Sequence, residues 1–454
     1  MGHKNKDGTK KKAGGGGVVA SSSSSSAAAA AGKKPAGSLP APTVNFNPKS
    51  VTDPFELVDM CVAALHDKHA TPATRKSALA SLGGALESSV MPLDEAADAR
   101  PLVIFALCGA AIKRGTAAAP AAAAVLASRE ARLAYRAVGL LALTLRGGGS
   151  TEILAESFPA LARTLQHAPS HDAATVAAAL DCLAAVTFAG ALGAEEAERS
   201  LKAIWGVVVP NARSPKVISG KVTPQVVAAA LSTWTFLVTT AAITDAQRRA
   251  DRAAWNAAVA SVGAALEADD RAVRMAAGEA LAVCVELNLT QHFPRKDMEA
   301  IHARVSDLAI EAAGKGADKT LFLEQKDLFR RVAAYLERGE RPAVALRTSS
   351  DRKETIRAST WAKVVQLNFL RRFLAGGFLS HVKGNKLFKE TFEVEKATLC
   401  IAKRKMEMKN RDKVMKMNRE LTWAVKNVYC LPQGQGAPPD RSNKPDQLLK
   451  LGWH

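Results

Sequence analysis

The chain is 454 residues long, 48% apolar, with a formal net charge of +19. That leaves room for two or three domains and a sizeable core, and it excludes a chain that is unfolded throughout. The charge is uneven: residues 1–50 carry +7, residues 51–346 carry −1 and residues 347–454 carry +13.

A neutral body with two basic ends suits nucleic acid, a ribosome or an acidic protein as partner. The six cysteines (Cys61, Cys108, Cys182, Cys284, Cys400, Cys430) form no CxxC pair, and most sit among apolar neighbours. They read as buried free thiols in a reducing compartment. No apolar run reaches the ~18 residues of a membrane span, and the start lacks the apolar region of a signal peptide. Lys6 stands where a myristoylation signal wants Ser or Thr. The expectation is a soluble protein of the cytoplasm, with the nucleus as a second compartment and no membrane partner.

Residues 1–50 are low in complexity: Lys10–Lys12, then Gly14–Gly17, Ser21–Ser26 and Ala27–Ala31. Such a segment buries too little to offset the entropy of ordering, so a disordered basic tail is expected. Over 51–346, helical patterns follow one another between polar or Gly/Pro breaks. The predicted helices are Asp53–His69, Thr74–Met91, Asp94–Arg114, Arg129–Leu145, Glu152–His167, Asp172–Ala191, Ala194–Val209, Pro224–Ala241, Asp245–Glu267, Asp270–Leu287, Arg295–Ala313 and Asp318–Arg338. Asp53, Thr71, Thr223, Asp245 and Asp270 are the expected N-caps. No alternating strand run stands out. Helix pairs every ~40 residues predict an all-α chain built on an armadillo/HEAT-type solenoid. The most repeat-like stretch runs from Asp269 to Leu281, with Val273, Ala276, Ala277, Ala280 and Leu281 as its buried stripe. Arg274 and Glu279 read as structural or surface residues.

A boundary is expected near 347, followed by a small helical C-terminal domain over 347–430 and a flexible tail over 431–454. A helix is predicted over Glu354–Leu374, then a break at Gly376-Gly377, then helical segments at Phe378–Val382 and Lys386–Val394. A basic helix follows over 395–430, free of Gly and Pro. Between Lys396 and Lys426 it holds ten Lys/Arg against Glu407, Asp412 and Glu420. As a helix this is a rod roughly 45–50 Å long, a form that suits a polyanion better than a small ligand. A charge run is commonly just a solvated helix face. Here the cations lack balancing acids at i, i+4, and Met406, Met408, Met415 and Met417 add adaptable apolar surface. A calmodulin-type groove or an anionic membrane could read the same features. They rank below RNA because bulky aromatic anchors are few before Trp423.

Three stretches resemble the C-terminal domain of the interferon-related developmental regulator family. They are Ser359-Thr360-Trp361-Ala362-Lys363, Phe369 to Phe378 with His381, and Asn385 to Val394. Arg352-Lys353 is similar to the basic lead-in to that domain. Val273 to Glu279 resembles the family's armadillo-like N-terminal domain. The resemblance covers roughly Pro54–Arg419; the extension from Glu420 to His454 does not map onto it, and the Gly/Ser/Ala-rich start departs from it. It implies a non-enzymatic adaptor. Members are described as transcriptional co-regulators, and one as a factor on inactive ribosomes whose C-terminal helix enters an RNA-lined channel. Carried over by position, the contact residues for rRNA would be Lys403, Arg404, Lys405, Lys409, Arg411, Lys413, Lys416 and Arg419.

Little points to chemistry. His66 and His69 lack a third ligand, His167 and His171 lack a partner pattern, and Gly14–Gly17 lacks the strand–loop–helix context of a phosphate site. No GxSxG or HExxH pattern occurs. The expectation is no catalytic residue, metal, cofactor or small-molecule substrate. Two readings stand: a ribosome-associated regulator acting through the basic helix, or a nuclear co-regulator holding a co-repressor complex on the solenoid.

Overall fold

A computed structural model describes residues 46–90, 99–117, 121–145, 148–209, 222–240, 251–311, 319–347, 354–396, 406 and 408–420. The expected disordered tail falls outside the described residues as far as residue 45, as does the expected flexible tail over 431–454. The end of the first segment departs from the expectation. Pro48–Ser50 form a short 3-10 helix beside the first α-helix, and Phe46 packs against the core. One aromatic ring supplies the apolar area that the preceding Ser/Ala run lacks.

Among the described residues, twelve helices form six successive pairs: α1 (Pro54–His66) with α2 (Pro72–Ser88), α3 (Arg100–Thr116) with α4 (Ala121–Thr144), α5 (Gly149–Gln166) with α6 (Ala173–Gly190), α7 (Ala194–Val208) with α8 (Pro224–Thr240), α9 (Arg252–Ala265) with α10 (Arg271–Glu286), and α11 (Arg295–Ile310) with α12 (Lys319–Arg338). The second helix of each pair packs on the second helix of the next, so α2, α4, α6, α8, α10 and α12 make one continuous inner row. Each pair buries its apolar face on its neighbours, the logic of a solenoid.

Local chemistry starts these helices. The Asp53 carboxylate accepts from Glu56 N–H at 2.9 Å, Thr71 Oγ1 from Thr74 N–H at 3.1 Å and Asp270 from Val273 N–H at 3.1 Å. Each cap contributes about 1 kcal/mol. The predicted stripe of α10 is buried in full: Val273, Ala276, Ala277, Ala280 and Leu281. Helix α4 begins eight residues earlier than expected, because the alanines before Arg129 are themselves strong helix formers. The expected start at Asp245 lies outside the described residues.

The reading that no apolar run is long enough for a membrane span is corrected at α6. Over 18 residues its mean hydropathy is 1.7, enough by length and composition. In the fold it is a core helix, packed by α4, α5, α7 and α8.

A three-stranded antiparallel sheet overturns the expectation of no strands. It is ordered β1 (Val344–Arg347), β2 (Glu354–Ala358), β3 (Val394–Lys396). The predicted helix over Glu354–Leu374 therefore starts only at Trp361. Ile356 and Ala358 are buried while Arg357 between them is exposed, the period of a strand. The basic rod expected from Glu395 likewise begins as β3. Its described helical part is residues 408–420, about 20 Å long.

After β2 come α13 (Trp361–Leu374), a 3-10 turn (Ala375–Gly377), α14 (Phe378–Gly384) and α15 (Lys386–Thr391). These elements lie across the inner row.

Candidate nucleic-acid interface

The 361–392 module touches every helix of the inner row. At its start, the Glu286 carboxylate of α10 accepts from Trp361 N–H at 3.0 Å and Ala362 N–H at 2.7 Å, and Tyr335 of α12 lies 6.2 Å from the Trp361 ring. Phe369 stacks on Phe236 of α8 at 4.0 Å, and Gln366 donates to Thr239 O at 3.1 Å. Arg372 makes a bidentate pair with Asp181 of α6, both distances 2.7 Å. Phe373 fills the space that Gly139 of α4 leaves, where a Cβ would lie 2.7 Å from the ring. At the far end, Gly376 N–H donates to Glu87 of α2 at 3.2 Å, and the buried His381 Nε2 lies 3.3 Å from Leu86 O. Asn385 Nδ2 donates to Leu143 O at 2.6 Å while its Oδ1 caps α15. Helix α13 is only about 21 Å long. Four spacings of 8–10 Å separate α12 from α4 along a flat row. The Trp361 and Phe373 side chains extend that reach to α12 and α4, and this side of the row is covered by the chain itself.

The residues behind the family resemblance thus have structural work. Trp361 is 1% exposed, His381 and Asn385 tie the module to α2 and α4, and a Cβ on Gly377 would come within 1.7 Å of Glu87 O. Burial holds the His381 imidazole below its ordinary pKa, against the raising effect of Leu86 O and Glu87. In the other matching stretch, Arg274 donates to Ala268 O, Asp269 O and Gln325 Oε1. Burial raises the Glu279 carboxyl while Arg331 and Asn368 oppose it. Both are structural residues.

The basic helix is different in kind. Every described residue of 408–420 is exposed, as is Met406. Lys409, Lys413 and Lys416 share one face at i, i+4 and i+7, Arg411 lies on the opposite face and Arg419 between them. Asp412 and Glu420 are the acids of this stretch. Its apolar side chains stay in solvent: Met408 58%, Val414 51%, Met415 50% and Met417 56% exposed. Lys403, Arg404 and Lys405 lie outside the described residues. Five of the eight residues read as RNA contacts are thus gathered on one helix that its own body does not cover.

His66 and His69 are exposed, and among the described residues no group of three His, Cys, Asp or Glu could hold a metal. Cys61, Cys108, Cys182 and Cys284 are free and buried. Burial pushes the Cys61, Cys108 and Cys284 thiols up to about 12, so they are poor nucleophiles at neutral pH. Sequence reasoning missed the solenoid side of the module's dock (Glu87, Asp181, Glu286), because isolated acids on helices carry no motif.

A family model described as Interferon-related developmental regulator (IFRD) matches residues 19–337. A curated relative, Interferon-related developmental regulator 1 of Sus scrofa, is 24% identical over 166 residues, which make up 36% of this chain and 35% of the relative. The match spans about a third of that relative's length. The family match ends before β1, so it rests on the solenoid and not on the Trp361–Val394 pattern.

Proposed function

The chain belongs to the interferon-related developmental regulator family, and from that premise we propose a non-enzymatic regulator of gene expression that associates with ribosomes. The basic helix would lie along rRNA phosphates while the solenoid stays outside as the body of the adaptor. On this reading the protein works in the cytoplasm. The observation that carries it is the exposure of residues 408–420 on all sides, with five cations against two acids. A helix meant to pack on its own body would bury its methionines; this one keeps them in water, next to charges that match a polyanion. Lys403, Arg404 and Lys405 extend the same run in sequence.

The alternative, a co-repressor scaffold, needs a surface other than the inner row, because the 361–392 module occupies that row. It would have to use the outer helices.

The test is salt dependence. Five phosphate contacts give a slope of log affinity against log salt of about −3.5 to −4.5, or a loss of roughly 100- to 500-fold between 50 and 200 mM. Purified full-length chain is pelleted with ribosomes across that range. Lys409→Glu, Lys413→Glu and Lys416→Glu together should abolish most binding and flatten the slope by about 2 to 3. Unchanged pelleting and slope in the triple variant would remove the mechanism.

A further inference from the structure

On the outer side of the solenoid, away from the basic helix in sequence, α7, α8 and α9 enclose a cleft of about 330 Å³. Three of its lining residues are tryptophans, Trp205, Trp234 and Trp255, one from each helix. The Trp205 and Trp234 rings are 4.6 Å apart and tilted by 45°, and Trp234 and Trp255 are 6.3 Å apart and tilted by 50°. Trp234, 3% exposed, is the floor; the half-buried Trp205 and Trp255 are the sides. Gly206 and Ala254 are exposed at the lip, so the cleft opens to solvent. Tilted indoles cannot stack on one another in parallel. All three indoles line the same cleft.

The rim is charged. Glu198 and Lys202 form an i, i+4 ion pair on the same face of α7 as Trp205. Asp251 stands at the N-cap of α9, yet its side chain makes no capping hydrogen bond there. Lys202 feels its field: the hydrogen bond to Glu198 is the main effect raising the lysine, and Asp251 adds to it. Among the described residues the lining thus sets two carboxylates against one ammonium. Among the described residues the lining has no Ser, Thr, Asn, Gln, Tyr or His, hence no neutral polar side chain apart from the indole N–H groups.

That combination selects a ligand class. Indole faces attract cations, most strongly among the aromatic residues. An unmodified ammonium is tightly hydrated and wants three acceptors, and one of the two carboxylates is already engaged by Lys202. A methylated ammonium has fewer N–H groups, or none, and sheds water more readily. We propose that this cleft binds a methylated ammonium group carried on a lysine side chain of a partner protein. The methylated head would sit against the three indoles facing Asp251, and its carbon stem would pass the apolar Leu201, Val209 and Ala258. Nothing in this depends on the basic helix, so failure of ribosome binding would leave it standing.

The experiment uses the full-length chain and a fluorescent basic peptide in three forms, read by polarisation. One carries trimethyl-lysine, one lysine and one a neutral tert-butyl isostere. The trimethyl form should bind about tenfold tighter than the isostere. Asp251→Asn should weaken it several-fold and Lys202→Ala, which removes the resident cation, should strengthen it. Both positions are exposed, so folding is not at stake. Trp255→Leu should abolish binding with the helical circular dichroism unchanged. No binding of the trimethyl peptide, equal binding of the isostere, or a shift of the same sign in Asp251→Asn and Lys202→Ala would overturn the proposal. Free choline binding as tightly as the peptide would overturn the assignment to a lysine side chain.

Discussion

Replacing Glu286 tests whether the module is held on the inner row by directed hydrogen bonds or by apolar contact alone. Glu286 ends α10, and its two oxygens accept from Trp361 N–H at 3.0 Å and Ala362 N–H at 2.7 Å. Thr360 Oγ1 takes a third N–H of the same helix start, from Lys363 at 3.2 Å. The start of α13 is thus satisfied partly by its own cap and partly by a carboxylate 75 residues earlier in the chain. Hydrogen bonds to a charged group contribute about 1.5–3 kcal/mol each, and an anion at a helix N-terminus about 0.3–1 more. Glu286 is half-buried, which favours the lower end, so Glu286→Ala should cost the docked state about 3–4 kcal/mol. Glu286→Gln keeps one acceptor and should cost about half as much. A solenoid can unfold in stages, so the assay is native-state hydrogen exchange read on α13. At 1.4 kcal/mol per factor of ten, the alanine variant should speed α13 exchange by about 100-fold or more while α1 and α3 keep parental rates. Exchange within threefold of the parent would refute the reasoning, and the apolar contacts of Phe369 and Phe373 would then suffice.

Two further outcomes follow from the same dock. Gly377→Ala places a Cβ about 1.7 Å from Glu87 O and must displace backbone, so it should destabilise the module by about 1–3 kcal/mol. Gly376→Ala meets only a side-chain oxygen at 3.8 Å and should be nearly silent in the same exchange measurement. His381 brings pH dependence. Its imidazole faces Leu86 O, Glu87 and the Phe388 ring, and burial lowers its pKa below 6.5. The folded chain therefore holds it neutral while the unfolded chain takes up a proton below that value. Stability should fall as pH drops from 6.5, by at most about 1.4 kcal/mol per unit for one proton. Denaturant titrations at pH 7.5, 6.5 and 5.5 should show a shallower fall in His381→Gln; an identical slope would mean the group does not carry the linkage. His171, also lowered by burial first and by His167 second, adds a fall of the same sign, and Glu279, raised by burial, works against both.

The solenoid was legible because each helix buries a stripe that recurs with the helical period, as Val273, Ala276, Ala277, Ala280 and Leu281 do. The sheet was not. Strands of three to five residues are too short for a period to emerge, and the β2 stretch leads without a Gly or Pro break into a true helix. The family pattern pointed at Trp361, His381 and Asn385 but not at what they touch. His381 meets Leu86 across 295 positions and Asn385 meets Leu143 across 242, distances no local signal spans. The Trp205–Trp234–Trp255 cleft escaped for a related reason: three indoles on three helices share no period, and each alone reads as core.

The dock bears on how the basic helix could act. Anchoring of the module fixes β3, whose last residue is Lys396. Only eleven residues lie between it and Met408, so the helix can start no farther than about 40 Å from the sheet whatever path they take. A helix held on rRNA would keep the solenoid within that radius, and any second contact of the outer helices would become intramolecular. Effective concentrations on such short tethers reach the millimolar range. A weak outer-surface contact would then add to ribosome affinity without being tight by itself. Undocking the module with Glu286→Ala should leave the intrinsic salt slope of the helix alone and reduce affinity by a factor that does not vary with salt. A flatter slope instead would mean that the module, not the helix, orients the cations.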